Sequence, residues 1–104
     1  MIQLFKKFLG FRPSADYKSL LNNGAQIIDV RTPGEYAAGH IKGSVNIALQ
    51  NLQTNLSKIK KDKPVITCCA SGMRSASAKY ILKQNGFKEV YNGGGWTALK
   101  NKLQ

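Results

Sequence analysis

Residues 64–86, P-V-I-T-C-C-A-S-G-M-R-S-A-S-A-K-Y-I-L-K-Q-N-G, constrain the fold more than any other stretch of the chain. Pro64 cannot donate a backbone hydrogen bond, so it suits the first position of a strand. Val65, Ile66, Thr67 and Cys68 follow as a short apolar, β-branched run of the kind buried in a parallel sheet. Ser71 and Gly72 break the run. Ser75 is placed to cap a helix whose apolar side is Ala76, Ala78, Tyr80, Ile81 and Leu82, and Gly86 stands where a helix C′ glycine would. A cysteine between strand end and helix start meets free backbone N–H groups and the positive end of the helix dipole. Both favour a thiolate, the reactive form of cysteine, and Arg74 adds a positive charge nearby.

Two cysteines compete for that role. Cys69 followed by Ala70, Ser71, Gly72, Met73 and Arg74 makes a six-residue loop and leaves Cys68 as the last strand residue, facing the core. Cys68, counted with five residues before Arg74, instead gives the C-x5-R spacing of tyrosine-phosphatase-like loops. A six-residue loop curls around a single sulfur atom, whereas a seven-residue loop can surround a phosphate. The strand reading favours Cys69 as the nucleophile, with residues 70–75 as its anion-binding loop, and Cys68 as a small buried hydrophobe. Adjacent residues point to opposite strand faces, which argues against a disulfide between the two.

Around this unit the chain alternates strand and helix signals. Pro13-Ser14 opens a helix to about Asn23, with Leu20 and Leu21 inward and Gly24 ending it. Residues 26–30 form a strand. Thr32-Pro33-Gly34-Glu35 is a capping box with proline at N1, so a short helix runs to Ala38 and ends at Gly39. Val45-Asn46-Ile47 is a short strand. Leu49, Leu52, Leu56 and Ile59 recur at helical spacing. Glu89-Val90-Tyr91 is a strand, Asn92-Gly93-Gly94-Gly95 a flexible turn where a backbone or ligand can approach closely, and Trp96, Leu99 and Leu103 belong to a last helix. Such alternation means an α/β fold whose parallel sheet is covered on both faces, with ligands bound beyond the carboxyl ends of the strands. The Cys69 loop falls there. Asp29, Arg31 and Glu35 follow another strand end, as possible supporting residues. Their structural reading has Arg31 paired with Glu35 while Asp29 accepts backbone N–H groups. His40, the chain's one histidine, reads as a structural hydrogen-bonder rather than a general base.

At 104 residues the chain is one domain, read as 12–104, preceded by a segment 1–11 in which Ile2, Leu4, Phe5, Phe8, Leu9 and Phe11 surround Lys6 and Lys7. That segment has the pattern of a short basic amphipathic helix lying on a membrane or on the domain itself. A packed or frayed terminus is the simpler reading, and membrane contact is not expected. No apolar stretch approaches the ~20 residues of a membrane span. Two adjacent cysteines make neither a disulfide framework nor a metal site, so a reducing, cytoplasmic compartment is expected and no metal or cofactor. The formal net charge of +11 is spread over scattered lysines, densest at Lys58–Lys63. It reads as a solvated surface rather than a nucleic-acid interface, because no aromatic-basic signature accompanies it.

Three blocks in order and spacing resemble the rhodanese family: I-I-D-V-R-T-P-G-E-Y-A-A-G-H-I-K-G-S-V-N-I at 27–47, V-I-T-C-C-A-S-G-M-R-S-A at 65–76 and G-F-K-E-V-Y-N-G-G-G-W at 86–96. The resemblance covers about 12–103. It implies a small fold with a five-stranded, mostly parallel sheet and helices on both faces. It also implies a sulfurtransferase in which Cys69 carries a sulfane sulfur as a persulfide, from a donor such as thiosulfate to cyanide or a thiol, including a protein thiol. Many family members carry basic residues where this chain has Ala70, Ser71 and Met73, so Arg74 is the loop's only charge. That departure turns attention from thiosulfate to a polysulfide or persulfide donor. The alternatives are a non-catalytic binding domain on the same fold, or a phosphatase or arsenate-reductase-like enzyme using Cys68.

Overall fold

The computed structural model describes residues 16–104. The segment 1–11 and the Pro13-Ser14 helix start lie outside the described residues. Four strands form one sheet in the order β2-β1-β3-β4, all parallel: β1 (Gln26–Asp29), β2 (Val45–Asn46), β3 (Val65–Cys69) and β4 (Val90–Gly95). Among the described residues this is one strand fewer than the five that the resemblance implies. The helices are α1 (Tyr17–Asn22), α2 (Pro33–Ala38), α3 (Leu49–Leu52), α4 (Met73–Gln84) and α5 (Trp96–Lys102). Among the described residues none is long and apolar enough to cross a membrane.

Side chains alternate across β3, and that alternation divides the core. Val65 and Cys69 join Ile28, Leu52, Ala78 and Leu82 on one face of the sheet, and Ile66 and Cys68 join Tyr17, Ile27 and Leu99 on the other. All five β3 residues are buried, as a central parallel strand requires. The buried stripe of α4 is Ser75, Ala78 and Leu82, whereas Ala76 and Tyr80, expected inside, are exposed.

Local chemistry sets several boundaries. α1 starts at Tyr17 because the Asp16 carboxylate caps it, accepting from the Ser19 N–H at 3.1 Å. α2 carries the full capping box at Thr32 and Glu35, as read. The helical spacing of Leu49–Ile59 does not yield one helix: α3 stops at Leu52, and a 3₁₀ turn spans Leu56–Lys58. The Thr54 hydroxyl and the Asn55 amide both donate to the Asn51 carbonyl, at 3.2 and 2.7 Å, and so compete with the backbone for the acceptor that would continue the helix.

The largest departure is Asn92–Gly95, read as a turn and found within β4. β4 pairs in register with β3 from Val65↔Val90 to Thr67↔Asn92 and then slips, so that Cys69 faces Gly95. β4 thus carries one extra residue, a bulge at its carboxyl end. Glycine is required there by contact: a Cβ on Gly93 would come within 2.9 Å of Ile66 Cγ2, Leu99 Cδ2 and the Thr67 carbonyl. Gly93→Ala is therefore expected to destabilise the fold by about 2–3 kcal/mol in urea unfolding. Gly34 of α2 has open space at its Cβ position, so Gly34→Ala should be neutral or stabilising by up to about 1 kcal/mol. Equal effects at the two sites would contradict the packing described.

Candidate active site

The carboxyl end of β3 delivers Cys69 to the start of α4, and the turn between them is closed by Gly72 in a left-handed conformation (φ 104°), which only glycine adopts without strain. Gly72 is the N-cap of α4 and offers no side chain to the first-turn N–H groups. The Cys69 sulfur takes that place. Its Sγ accepts from the Gly72 N–H at 2.9 Å and from the Ser75 N–H, the third of the helix, at 3.3 Å. Ser75, expected to cap α4, lies inside the helix because α4 begins at Met73, two residues earlier. Its buried hydroxyl oxygen sits 3.5 Å from the sulfur.

The electrostatics follow from these contacts. Burial pushes the Cys69 thiol up, but the Ser75 hydroxyl, where it turns its proton to the sulfur, and the N–H groups of Ser75, Gly72 and Ser71 outweigh it, and the thiol ends below its ordinary range. Cys68, on the opposite face of β3, has no such donors. Burial, reinforced by Asp29, pushes it up to about 12. The loop thus separates two adjacent cysteines into a poised thiol and an inert one. Both are free of disulfides.

The candidate loop residues Ala70, Ser71, Gly72, Met73, Arg74 and Ser75 are brought together around Cys69, with Ala70, Ser71 and Met73 exposed at its mouth. Arg74 stands near Cys69, but not as a free cation. Its guanidinium is clasped by Glu35 of α2, Nη1 to Oε1 at 2.7 Å and Nη2 to Oε2 at 3.0 Å, so its charge is neutralised at the loop's flank. Glu35 also accepts from the Thr32 N–H at 2.9 Å, and with Arg74 this holds its carboxyl at about 2. The expected Arg31–Glu35 side-chain pair is absent: Arg31 binds both oxygens of Asp29 at 2.7–3.1 Å and donates to the Gly39 carbonyl at 2.7 Å. Asp29 does accept a backbone N–H, that of Arg31. The pair is buried, Asp29 stands in register with Cys68, and Arg31 pins the backbone of α2's far end; neither side chain hydrogen-bonds the Cys69 sulfur. His40 stacks on Tyr36 with ring centroids 3.8 Å apart, and its Nδ1 lies 2.8 Å from the Tyr36 carbonyl, consistent with its structural reading. Among the described residues no three His, Cys, Asp or Glu side chains gather closely enough to hold a metal ion.

One participant escaped the sequence reading. Asn92, taken for a turn residue, reaches from β4 into the loop: Oδ1 accepts from the Ser75 hydroxyl at 2.5 Å, and Nδ2 donates to the Gly72 carbonyl at 3.3 Å. Its signal was its place at a strand's end beside a glycine run, which read equally well as a turn.

Residues 14–102 match the family described as Rhodanese-like domain. The chain is 42% identical over 81 residues to an uncharacterized protein, YqhL, of Bacillus subtilis, a match covering 77% of this chain and 64% of that protein. It is 37% identical over 75 residues to the thiosulfate sulfurtransferase GlpE of Pseudomonas paraeruginosa, covering 72% and 68%. In structure it resembles a rhodanese with anions from E. coli at a TM-score of 0.67 and 33% identity, over 71% of this chain and 89% of that one.

Two outcomes follow from the geometry. At pH 7 iodoacetamide should modify Cys69 at least about tenfold faster than Cys68 in the native protein, read by peptide mass spectrometry; equal labelling would contradict the two environments. Because the Glu35 carboxyl drops from 4.5 to about 2 on folding, its stabilising effect is present above about pH 4.5 and is lost as the pH falls toward 2. Glu35→Gln should therefore unfold at lower denaturant than wild type at neutral pH, with the gap closing across that window.

Proposed function

The chain belongs to the rhodanese family, and on that premise we propose that it is a sulfurtransferase that carries a sulfane sulfur on Cys69, loaded by a polysulfide or persulfide donor and unloaded by a thiol. The observation that carries this reading is the six-residue loop closed on the Cys69 sulfur by the Gly72 and Ser75 N–H groups. A cradle of that size fits one sulfur atom. The phosphatase-like reading needs Cys68, whose buried thiol at about 12 is a poor nucleophile.

In the proposed first step the Cys69 thiolate attacks the donor's outer sulfur. The donor's S–S bond breaks, its inner sulfur departs with the electron pair as a thiolate or shorter polysulfide, and a Cys69 persulfide remains. The N–H groups that hold the thiolate also serve the anionic persulfide. An acceptor thiolate, or cyanide in an assay, then takes the outer sulfur and regenerates the Cys69 thiolate. The donor class rests on charge. The loop mouth is neutral at Ala70, Ser71 and Met73, and Arg74 is already clasped by Glu35, so no loop cation is free for the sulfonate of thiosulfate. The cycle runs on thiols, which suits a reducing cytoplasm, with a small thiol or a protein thiol as acceptor and no nucleic acid.

Intact-mass spectrometry tests the reading. Incubation with polysulfide should add about one sulfur, ~32 Da, that is removed by cyanide, retained in Cys68→Ser and absent in Cys69→Ser. Thiosulfate should load far less. No cyanide-sensitive gain with any donor would leave a binding domain on this fold as the better reading.

A further inference from the structure

The hydrogen bonds around Ser75 have a fixed direction. Asn92 Oδ1 accepts from the Gly94 N–H at 2.9 Å, and Nδ2 donates to the Gly72 carbonyl at 3.3 Å. A backbone N–H can only donate and a carbonyl can only accept, so the amide cannot flip. The Tyr17 hydroxyl holds the Asn92 carbonyl from α1 at 3.3 Å. Ser75 therefore meets two acceptors, Asn92 Oδ1 at 2.5 Å and the Gly72 carbonyl at 3.0 Å, and the closer takes the hydroxyl's one proton, which leaves an oxygen lone pair facing the Cys69 sulfur 3.5 Å away. A thiol S–H can donate into that lone pair. A thiolate cannot, and it gains the Ser75 proton only if the hydroxyl turns away from Asn92.

We propose that Asn92 is a positioning residue: by fixing the direction of the Ser75 hydroxyl it restrains how readily Cys69 gives up its proton. No covalent bond changes in this step; the thiol proton leaves to solvent, and the hydroxyl proton has three competing acceptors: Asn92 Oδ1, the Gly72 carbonyl and the Cys69 thiolate. Among the described residues the charged and titratable groups nearest the site are Arg74 of α4 with Glu35 of α2, Asp29 and Arg31 at the end of β1, Cys68 of β3 and Tyr17 of α1. None of their side chains shares a hydrogen bond with the Asn92 amide or the Ser75 hydroxyl. The inference rests on Cys69 as the reactive thiol of the proposed function, and its test needs no sulfur donor.

The test is the pH dependence of Cys69 alkylation by iodoacetamide. In Asn92→Ala the thiolate becomes the stronger of the remaining acceptors for the Ser75 proton, the Gly72 carbonyl being neutral. The alkylation midpoint should fall, and the rate at pH 7 should rise about threefold. In the near-isosteric Asn92→Asp the carboxylate grips the proton harder and adds negative charge, so the rate at pH 7 should fall about tenfold. In a Ser75→Ala background Asn92→Ala should change neither. A midpoint that is unmoved or raised in Asn92→Ala, an undiminished rate in Asn92→Asp, or the same Asn92→Ala shift with and without Ser75 overturns the proposal. These shifts in a protein that never loads sulfur would keep the proposal and remove the transferase reading.

Discussion

Helix α4 starts without a capping side chain of its own, and the Cys69 sulfur fills that position. The interaction is shared property: the first-turn N–H groups need an acceptor, and a buried thiol needs donors to become anionic. Satisfying one satisfies the other. Most of the site follows from this economy. Among the described residues no lysine or histidine side chain hydrogen-bonds the sulfur, and the loop's one cation, Arg74, is paired with a carboxylate on another helix. The thiol is poised by backbone geometry that side-chain drift at Ala70, Ser71 or Met73 leaves intact.

Backbone geometry of this kind needs support from behind, and β4 supplies it. The glycine run lets the strand end pass within contact of Ile66, Leu99 and the loop itself, where a Cβ on Gly95 would come 2.8 Å from the Ala70 carbonyl. The extra residue of the bulge brings the strand end to Cys69 itself, while the Asn92 side chain meets both Gly72 and Ser75. The Thr67 hydroxyl, donating to the Ser75 carbonyl at 2.9 Å, ties the same helix turn to β3.

What the sequence made legible was what local chemistry decides alone. The capping box at Thr32–Glu35, the buried run at Val65–Cys69 and the choice of Cys69 over Cys68 as the cradled sulfur depend on neighbours in the chain, and they stand in the structure as read. What was not legible depends on partners distant in sequence. Glu35 has one preferred partner within its own turn and another, Arg74, 39 residues away, and no local rule ranks Arg74 above Arg31. A run of three glycines after Asn92 reads as a turn until the atoms that would collide with a Cβ on Gly93 or Gly95 are known. The spacing of Leu49, Leu52, Leu56 and Ile59 is helical, yet Thr54 and Asn55 spend the acceptor that spacing presumes.

Glu35 also joins two structural units that the chain keeps far apart. One of its oxygens, Oε1, accepts from both the Thr32 backbone and Arg74. Fraying the first turn of α2 therefore releases the flank of the sulfur loop, and loosening the loop uncaps α2. In native-state hydrogen exchange the two segments would open as one cooperative unit, although they meet nowhere in sequence and belong to different βα crossings.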